Sequence, residues 1–146
     1  MPSLVLSHFL SDQHRELDHL LASADNALAT PEGPAALARF RERMEHHLAI
    51  EEQFLFPAIA ERMGPGGPVV VMRAEHDSIR GLLRQASEVV KANDREGEAR
   101  VLDTLTVLIQ QHHLKEENVL YPLSDDMLAD RAESLIQAMD PAPAHA

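Results

Sequence analysis

Histidine and glutamate recur in this chain at a spacing that suits metal coordination. The segments 47–57 and 112–122 both read H-x3-E-E-x3-[FY]-P, with a constant offset of 65 residues (112 − 47 = 65). On a helix, residues i and i+4 lie one above the other, so each segment presents an imidazole and a carboxylate in the same direction. Either pair alone is often an ordinary surface pair. The repetition of the whole pattern favours a shared role.

A second repeat supplies two more histidines. The segments 14–21 and 76–83 both read H-x2-[LI]-x2-L-L, with an offset of 62 residues (76 − 14 = 62). Each half of the chain thus pairs one H-x2-[LI] segment with one H-x3-E segment. An internal repeat of this kind predicts a molecule built from two similar helical hairpins.

The candidate metal ligands lie on the apolar stripes of the predicted helices. Buried ionised carboxylates are costly unless they are paired or bind a cation. Taken singly, a histidine on such a stripe is more often a hydrogen-bonded core residue than a ligand. Four histidines and two glutamates on the inward stripes of four helices favour a metal site. The predicted ligands are His14, His47, Glu51, His76, His112 and Glu116.

The number and type of these donors narrow the choice of metal. Four imidazoles and two carboxylates exceed the ligand set of one tetrahedral zinc ion, so the count predicts a dinuclear site. Imidazole and carboxylate donors without thiolate suit non-haem iron, with zinc and manganese as the alternatives. Ferritin-like di-iron bundles use Glu-x-x-His, whereas this chain has His-x3-Glu, which argues against that relationship.

Neighbouring polar residues have less specific interpretations. Glu52 and Glu117 lie about 100° around their helices from the candidate glutamates, so we expect them to be solvated or to hydrogen-bond to ligand histidines. His113 is a rival of His112 because it borders an apolar stripe and has Glu117 four residues later. Alignment of the repeats selects His112. The remaining histidines are expected to flank the site or lie at the surface: His8, His19, His46 and His145.

Three breaks separate the long segments that must position these residues. They lie at 30–34, 64–68 and 93–97, which are rich in Pro, Gly, Asn and Asp. Between them, apolar or His residues recur at helical spacing, and no segment alternates like a strand. Short connections between helices of similar length predict an all-α fold, an up-down-up-down antiparallel four-helix bundle.

First-turn residues predict where the helices begin. Ser11 or Asp12 is expected to cap the first helix. Pro34 suits the first turn of the second helix, and Asp94 can open the fourth. Each predicted start therefore has a residue that satisfies or replaces a free backbone amide.

Two prolines within the helical segments predict irregularities. Pro57 is expected to kink the second helix or to end its regular part. Pro122 is expected to end the fourth helix. A short C-terminal fifth helix is then predicted from 125 or 126 to 139, and residues 140–146 are expected to form a frayed tail.

Length, charge and cysteine content exclude several classes of function. The 146 residues are expected to form a single domain, 1–146, with its core at about 12–123. Lys and Arg number 13 against 24 Asp and Glu, and the net charge of −11 disfavours binding to nucleic acid or to an anionic membrane. The absence of cysteine excludes thiolate zinc sites, iron–sulfur ligation and cysteine catalysis. The chain start lacks a basic leader region and no apolar stretch reaches membrane-spanning length, so a cytoplasmic location is expected.

The paired H-x3-E-E segments ending in proline resemble the hemerythrin family, in its HHE cation-binding branch. The resemblance covers about residues 14–121. It implies a di-iron centre in which Glu51 and Glu116 bridge the ions and the four histidines of the repeats are terminal ligands.

Two departures from the oxygen-carrying members of that family concern the third and fourth helices. Those members have His-x3-His on the third helix, whereas here Met72 stands four residues before His76 and Arg80 four residues after it. They have His-x4-Asp on the fourth helix, whereas this chain has His-x3-Glu. The first departure leaves a coordination position without an evident protein ligand, open to water, to a side chain such as Glu75, or to a small molecule.

Together these features predict a dinuclear non-haem iron protein that binds or senses dioxygen or a related small oxidant such as peroxide or nitric oxide. We expect a metal- or oxygen-binding protein rather than an enzyme, and the sequence leaves formation of a homodimer open. One alternative is a di-iron enzyme: an oxidase, a peroxide or nitric-oxide scavenger, or an iron donor similar to the iron–sulfur cluster repair proteins that share this domain. Those proteins carry an added cysteine-containing segment. This chain contains no cysteine, which disfavours the repair version here. The other alternative is structural or storage binding of zinc or another divalent ion.

Overall fold

Seven α-helices make up most of residues 5–140, the part of the chain that this computed structural model describes. They are α1 (Leu6–Asn26), α2 (Gly33–Ile50), α3 (Phe56–Met63), α4 (Pro68–Lys91), α5 (Arg95–Lys115), α6 (Tyr121–Met127) and α7 (Ala132–Met139). π turns at Glu51–Leu55 and Glu116–Leu120 join α2 to α3 and α5 to α6 into two continuous rods, and a 3-10 turn at Ala129–Arg131 precedes α7. Residues 5–140 contain no strand, as predicted. None of their helices combines the length and the apolar character needed to cross a membrane.

The helices α1 and α4 and the two rods α2–α3 and α5–α6 pack as a closed antiparallel bundle. α1 contacts α2 and α5, and α4 contacts the same two helices from the other side. His76 on α4 bonds to Glu52, and Arg80, one turn later, bonds to Glu45. Rising residue numbers on one rod therefore meet falling numbers on its neighbour. The predicted four-helix bundle is confirmed, and the short α7 packs against α1 near one end.

Buried apolar residues form two clusters that leave a polar layer between them. On α1, Leu10 belongs to the first cluster and Leu17 to the second, and His14 lies between them. α4 repeats this arrangement around His76. The predicted metal ligands therefore interrupt an otherwise aliphatic core at mid-bundle.

Each π turn begins at a glutamate of the repeat and accommodates the proline that follows. The amide of Phe56 donates to the carbonyl of Glu51, an i→i+5 bond in place of the α-helical i→i+4 bond. The amide of Tyr121 makes the same bond to Glu116. A proline lacks an N–H and crowds the carbonyl four residues earlier, and the wider turn removes the need for that bond. The helix passes through Pro122 and continues as α6, so the prediction that Pro122 ends the fourth helix is wrong.

The predicted second helix and the predicted C-terminal helix both end where expected, but the C-terminal helix begins later than predicted. Regular α-helix stops at Ile50, before Pro57, and resumes at Phe56. The C-terminal helix, α7, ends at Met139 as predicted. It begins at Ala132 rather than at 125 or 126, because residues 121–127 belong to α6. Residues 141–146, most of the predicted tail, lie outside the described residues.

α1 begins at Leu6, earlier than the predicted cap at Ser11 or Asp12. Leu6 is fully buried, so the apolar stripe of this helix extends beyond its predicted start. The amide of Ser7 donates to Asp125 Oδ1 at 3.0 Å. A carboxylate from α6 thus caps the first turn, and local sequence carries no sign of such a cap.

The other two predicted helix starts are confirmed. Pro34 lies within the first two residues of α2. Asp94 caps α5, since its Oδ1 accepts from the amide of Gly97 at 2.9 Å.

Candidate metal centre

The six predicted ligands meet in the polar layer of the bundle, and each is at most 1% exposed. Their donor atoms form two groups, and within each group the atoms lie within 4.8 Å of one another. One group is His14, His47, His113 and Glu116, and the other is Glu51, His76, His112 and Glu116. The structure therefore brings all six predicted residues together and adds His113.

Each glutamate of the repeat faces histidines of both groups. Oε1 of Glu51 is 3.1 Å from Nε2 of His76, and its Oε2 is 3.5 Å from Nε2 of the histidine four residues before it. Oε1 of Glu116 is 3.0 Å from Nε2 of His14, and its Oε2 is 3.3 Å from Nε2 of the histidine four residues before it. One oxygen of each carboxylate is thus turned to each histidine pair, as a carboxylate between two cations must be.

Several buried polar atoms at the centre have no hydrogen-bond partner within residues 5–140. They are Nε2 of His47, His76, His112 and His113, Oε1 of Glu51 and Oε2 of Glu116. Leaving a buried polar atom unpaired costs about 1–3 kcal/mol. Imidazole nitrogens and carboxylate oxygens that converge without bonding to one another fit the coordination of metal ions.

Each of the four histidines of the repeats has a hydrogen-bond partner at Nδ1, the ring nitrogen that faces away from the centre. Each Nδ1 lies within hydrogen-bond distance of a side-chain oxygen. The partners are Glu117 for His14 (2.6 Å), Gln13 for His47 (2.7 Å), Glu52 for His76 (2.7 Å) and Glu75 for His112 (2.8 Å). An acceptor at Nδ1 favours the ring proton there, so that Nε2, once deprotonated, directs its lone pair at the centre. The expected hydrogen bonding of Glu52 and Glu117 is confirmed, whereas Gln13 and its role were not predicted.

Surface cations hold two of these outer carboxylates in place. Arg80 lies 2.6 Å from Glu52, and Lys115 lies 2.5 Å from Glu75. Partial burial raises the pKa of both carboxyl groups, but the cations and the bonded histidines outweigh burial and lower it. Both groups therefore stay ionised and accept the histidine N–H.

Loss of an outer carboxylate is expected to weaken metal binding at the centre. Glu52→Ala removes the acceptor of His76 Nδ1 and is expected to weaken metal binding about 10- to 100-fold, measured by competition with a chelator. Glu45→Ala is the matched control, because Glu45 also contacts Arg80, at 3.3 Å, but forms no bond to a histidine. Equal affinity in the two variants would contradict the role assigned to Glu52.

Tyr121 reaches the centre without having been predicted to do so. Its hydroxyl donates to Glu51 and lies 2.9 Å from Oε1 of Glu116. Burial and the two carboxylates raise the pKa of Tyr121 well above its usual value, so the hydroxyl keeps its proton. The repeat places Phe56 at the equivalent position of the first half, and the tyrosine in place of phenylalanine was the only available signal.

His113 is buried in the centre, beside the residue that repeat alignment preferred. It is 5% exposed, and its ring stacks on that of His14 with a centroid separation of 3.5 Å and an interplanar angle of 12°. Burial, together with the neighbouring His14 and His47, lowers the pKa of His113 to about 2. Sequence reasoning chose between His112 and His113, whereas the structure places both at the centre. His8 and His19 are exposed as predicted, and His145 lies outside the described residues. His46, which was expected to flank the site, is exposed as well.

The carboxylates of the centre raise the proton affinity of two candidate ligands. Burial lowers the pKa of His112, but contact with Glu116 and Glu75 outweighs burial and raises it to about 9. The pKa of His14 is raised in the same way, chiefly by Glu116. Burial raises the pKa of Glu116, but the histidines around it lower that pKa well below the ordinary value. Without metal, protons take the place that cations would occupy.

A pH dependence of metal binding follows from this competition. A histidine must lose its Nε2 proton to coordinate, so a cation displaces the proton that the raised pKa of His112, about 9, retains at neutral pH. Affinity is expected to rise from pH 6 to pH 9 and to fall in acid, by about tenfold per pH unit for each displaced proton. Titration with a chromophoric chelator at several pH values measures this. A metal affinity that stays the same from pH 6 to pH 8 would contradict this competition between protons and metal.

Comparison with known proteins gives matches over nearly the whole chain. The family model described as Hemerythrin HHE cation binding domain matches residues 5–139. The iron-sulfur cluster repair protein YtfE of Yersinia pseudotuberculosis serotype IB (strain PB1/+) is 34% identical over 140 residues, covering 82% of this chain and 62% of that protein. YtfE of Yersinia pestis (strain Pestoides F) matches with the same identity and coverage. The chain thus spans 62% of the length of these curated relatives. No solved structure gives a significant match.

Proposed function

Because the chain belongs to the hemerythrin HHE cation-binding domain family, we propose that its polar layer holds two iron ions as a dinuclear non-haem centre. The observation that carries this proposal is the orientation of Glu51 and Glu116, each with one oxygen toward each histidine pair. Both glutamates would be shared by the two ions, and His14, His47, His76 and His112 would complete the ligand set.

The donor set favours iron over the alternative metals. Four imidazoles and two carboxylates are more donors than a single tetrahedral zinc ion takes, and they match the mixed nitrogen and oxygen coordination of non-haem iron. The relatives named for iron–sulfur cluster repair support the same choice. Zinc and manganese are the alternatives that metal analysis must exclude.

The proposed use of this iron is its donation for the repair of iron–sulfur clusters. The supporting observation is the identity of 34% to YtfE proteins over most of this chain. The cysteine-free chain supplies no thiolate to hold a cluster itself. In this proposal the chain gives up iron, and an acceptor protein provides the cluster ligands.

Transfer of iron to an apo iron–sulfur protein tests this use. The protein is loaded with ferrous iron without oxygen, freed of excess metal, and mixed with the acceptor and a persulfide as sulfur donor, whose sulfur takes up the electrons that ferrous iron loses as the cluster forms. Cluster absorbance is expected to develop, and to develop equally with an exposed-residue variant such as His19→Ala. Retention of the iron, with no cluster formed, would contradict donation while leaving the iron site itself intact.

A second candidate function is the binding or sensing of dioxygen or a related small oxidant. The third helix supplies only His76 to the second donor group, since Met72 and Arg80 occupy the positions one turn on either side. A metal held by this group would have a coordination position left for a small molecule. Reversible spectral change on exchanging air for argon supports this function, and steady peroxide or nitric-oxide turnover supports the enzymatic version. If dioxygen, peroxide and nitric oxide all leave the spectrum unchanged and none is turned over, both the binding and the enzymatic versions are excluded.

We also propose that the chain forms a single domain and that the protein lies in the cytoplasm. Formation of a homodimer is left open. No nucleic acid or membrane partner is proposed.

A further inference from the structure

His113 is a buried imidazole for which the six-ligand centre has no use. It makes no hydrogen bond within residues 5–140, and its Nε2 has no partner. The four histidines of the repeats, by contrast, each have a side-chain acceptor at Nδ1. A buried ring nitrogen without a hydrogen-bond partner is costly, so its presence calls for a compensating interaction.

Packing alone does not explain this histidine. The repeat offset of 65 residues places Leu48 at the equivalent position of the first half (113 − 65 = 48). Leu48 is fully buried. An apolar side chain therefore serves this position in one hairpin, and the other hairpin carries an imidazole that could coordinate a cation.

The position of His113 brings it within reach of one metal. Its donor atom lies within 4.8 Å of donor atoms of His14, His47 and Glu116. Ligands on opposite sides of one metal ion are about 4 Å apart, because each metal–nitrogen distance is about 2.1 Å. A single cation can thus be approached by all four residues of this group.

Stacking nevertheless prevents His113 and His14 from binding that cation together as they stand. An imidazole holds a metal in the plane of its ring, along the nitrogen lone pair. The two rings are nearly parallel, at 12°, with centroids 3.5 Å apart. A cation in the plane of one ring therefore lies well out of the plane of the other.

His14 is the ligand whose outer support is the most exposed. Its acceptor Glu117 is 39% exposed, compared with 25% for Glu52 and 17% for Glu75. Arg80 and Lys115 hold the latter two carboxylates, whereas no Lys or Arg of residues 5–140 pairs with Glu117. Among the histidines with carboxylate acceptors, His14 is therefore the one whose Nδ1 acceptor has no cation beside it. On its inner side, Nε2 of His14 lies 2.9 Å from the hydroxyl of Tyr121 and 3.0 Å from Oε1 of Glu116.

We propose that His113 is an alternate metal ligand, which takes the place of His14 at the cation that His47 and Glu116 also bind. The two stacked rings serve one coordination position, one ring at a time. This inference rests on the proposed dinuclear centre and deepens it. It gives one of the two metals a way to change a protein ligand without losing its coordination number.

Metal stoichiometry of a double-mutant cycle tests the proposal. His14→Ala removes the stacked ring and opens space for His113 to turn, and His113→Phe keeps a stacking ring without a donor nitrogen. After loading with ferrous iron and removal of free metal, wild type and both single variants are expected to hold two ions per chain. The double variant is expected to hold one. The ion retained by the His76 group reports that the double variant is folded.

Other outcomes separate the proposal from its premise. If His14→Ala alone holds one ion, or the double variant holds two, His113 is not an alternate ligand. His14→Asn, alone and combined with His113→Phe, repeats the cycle with a polar side chain of similar width and guards against misfolding of the alanine variant. A wild-type protein that binds fewer than two ions would instead contradict the dinuclear centre itself.

Discussion

Glu116→Ala is expected to abolish binding of both metal ions. Glu116 is the residue common to the two donor groups, and its two oxygens face His14 and His112. Its removal takes a ligand and a compensating negative charge from each position. The measurement is metal per chain after loading and desalting, for which we expect a fall from two equivalents to fewer than about 0.2.

Matched variants separate this effect from general damage to the helix. Glu42→Ala makes the same chemical change at an exposed residue of α2 and is expected to keep both ions. His47→Ala is expected to lose metal, whereas His19→Ala, at an exposed histidine, is not. Retention of two ions by Glu116→Ala would refute the assignment of this carboxylate as a bridge.

Removal of metal is expected to cause a large loss of stability. A ligand that binds only the folded state at 1,000 times its dissociation constant contributes about 4 kcal/mol, so two such sites contribute about 8 kcal/mol. In a domain of this size, about 1 kcal/mol corresponds to 2–4 °C, so chelation is expected to lower the Tm by roughly 20 °C. The buried carboxylates and unpartnered histidine nitrogens of the centre give the physical reason.

Thermal unfolding of the Glu116→Ala variant provides the control for this prediction. Its Tm is expected to be the same with and without chelator, because it has no bound metal to lose. A wild-type Tm that chelator leaves unchanged would show that metal contributes nothing to the stability of the fold.

The features predicted correctly from sequence depend on local periodicity. The spacing of His and Glu at i and i+4, repeated with a constant offset, is enough to place six side chains on the inner faces of four helices. Helix starts at Pro34 and Asp94 are equally local, since each involves backbone within one turn. These predictions needed no knowledge of which helix lies beside which.

The features that escaped prediction depend on contacts between distant segments. The early start of α1 is capped by Asp125, more than a hundred residues away in sequence. Gln13 supports a histidine on a different helix, and the hydroxyl of Tyr121 reaches Glu51 across the bundle. The helix continues through Pro122 because a π turn replaces a broken ladder, and helical periodicity does not distinguish that solution from a helix end.

His113 lies between these two classes. Its place on the border of an apolar stripe made it a rival of His112, and the repeat then required a choice between them. Two neighbouring residues on a helix differ by about 100°, so one face was expected to hold only one of them. The bundle interior is wide enough at this layer to bury both, because helices pack on α5 from both α1 and α4.

The metal content of the protein, together with its optical spectrum in air, decides whether the polar layer holds a dinuclear iron centre. Protein from its own cells, and metal-free protein reconstituted with ferrous iron, are analysed for iron, zinc and manganese per chain. We expect two iron ions per chain and a visible charge-transfer band that Glu116→Ala lacks. A colourless protein that holds a single metal ion would contradict it.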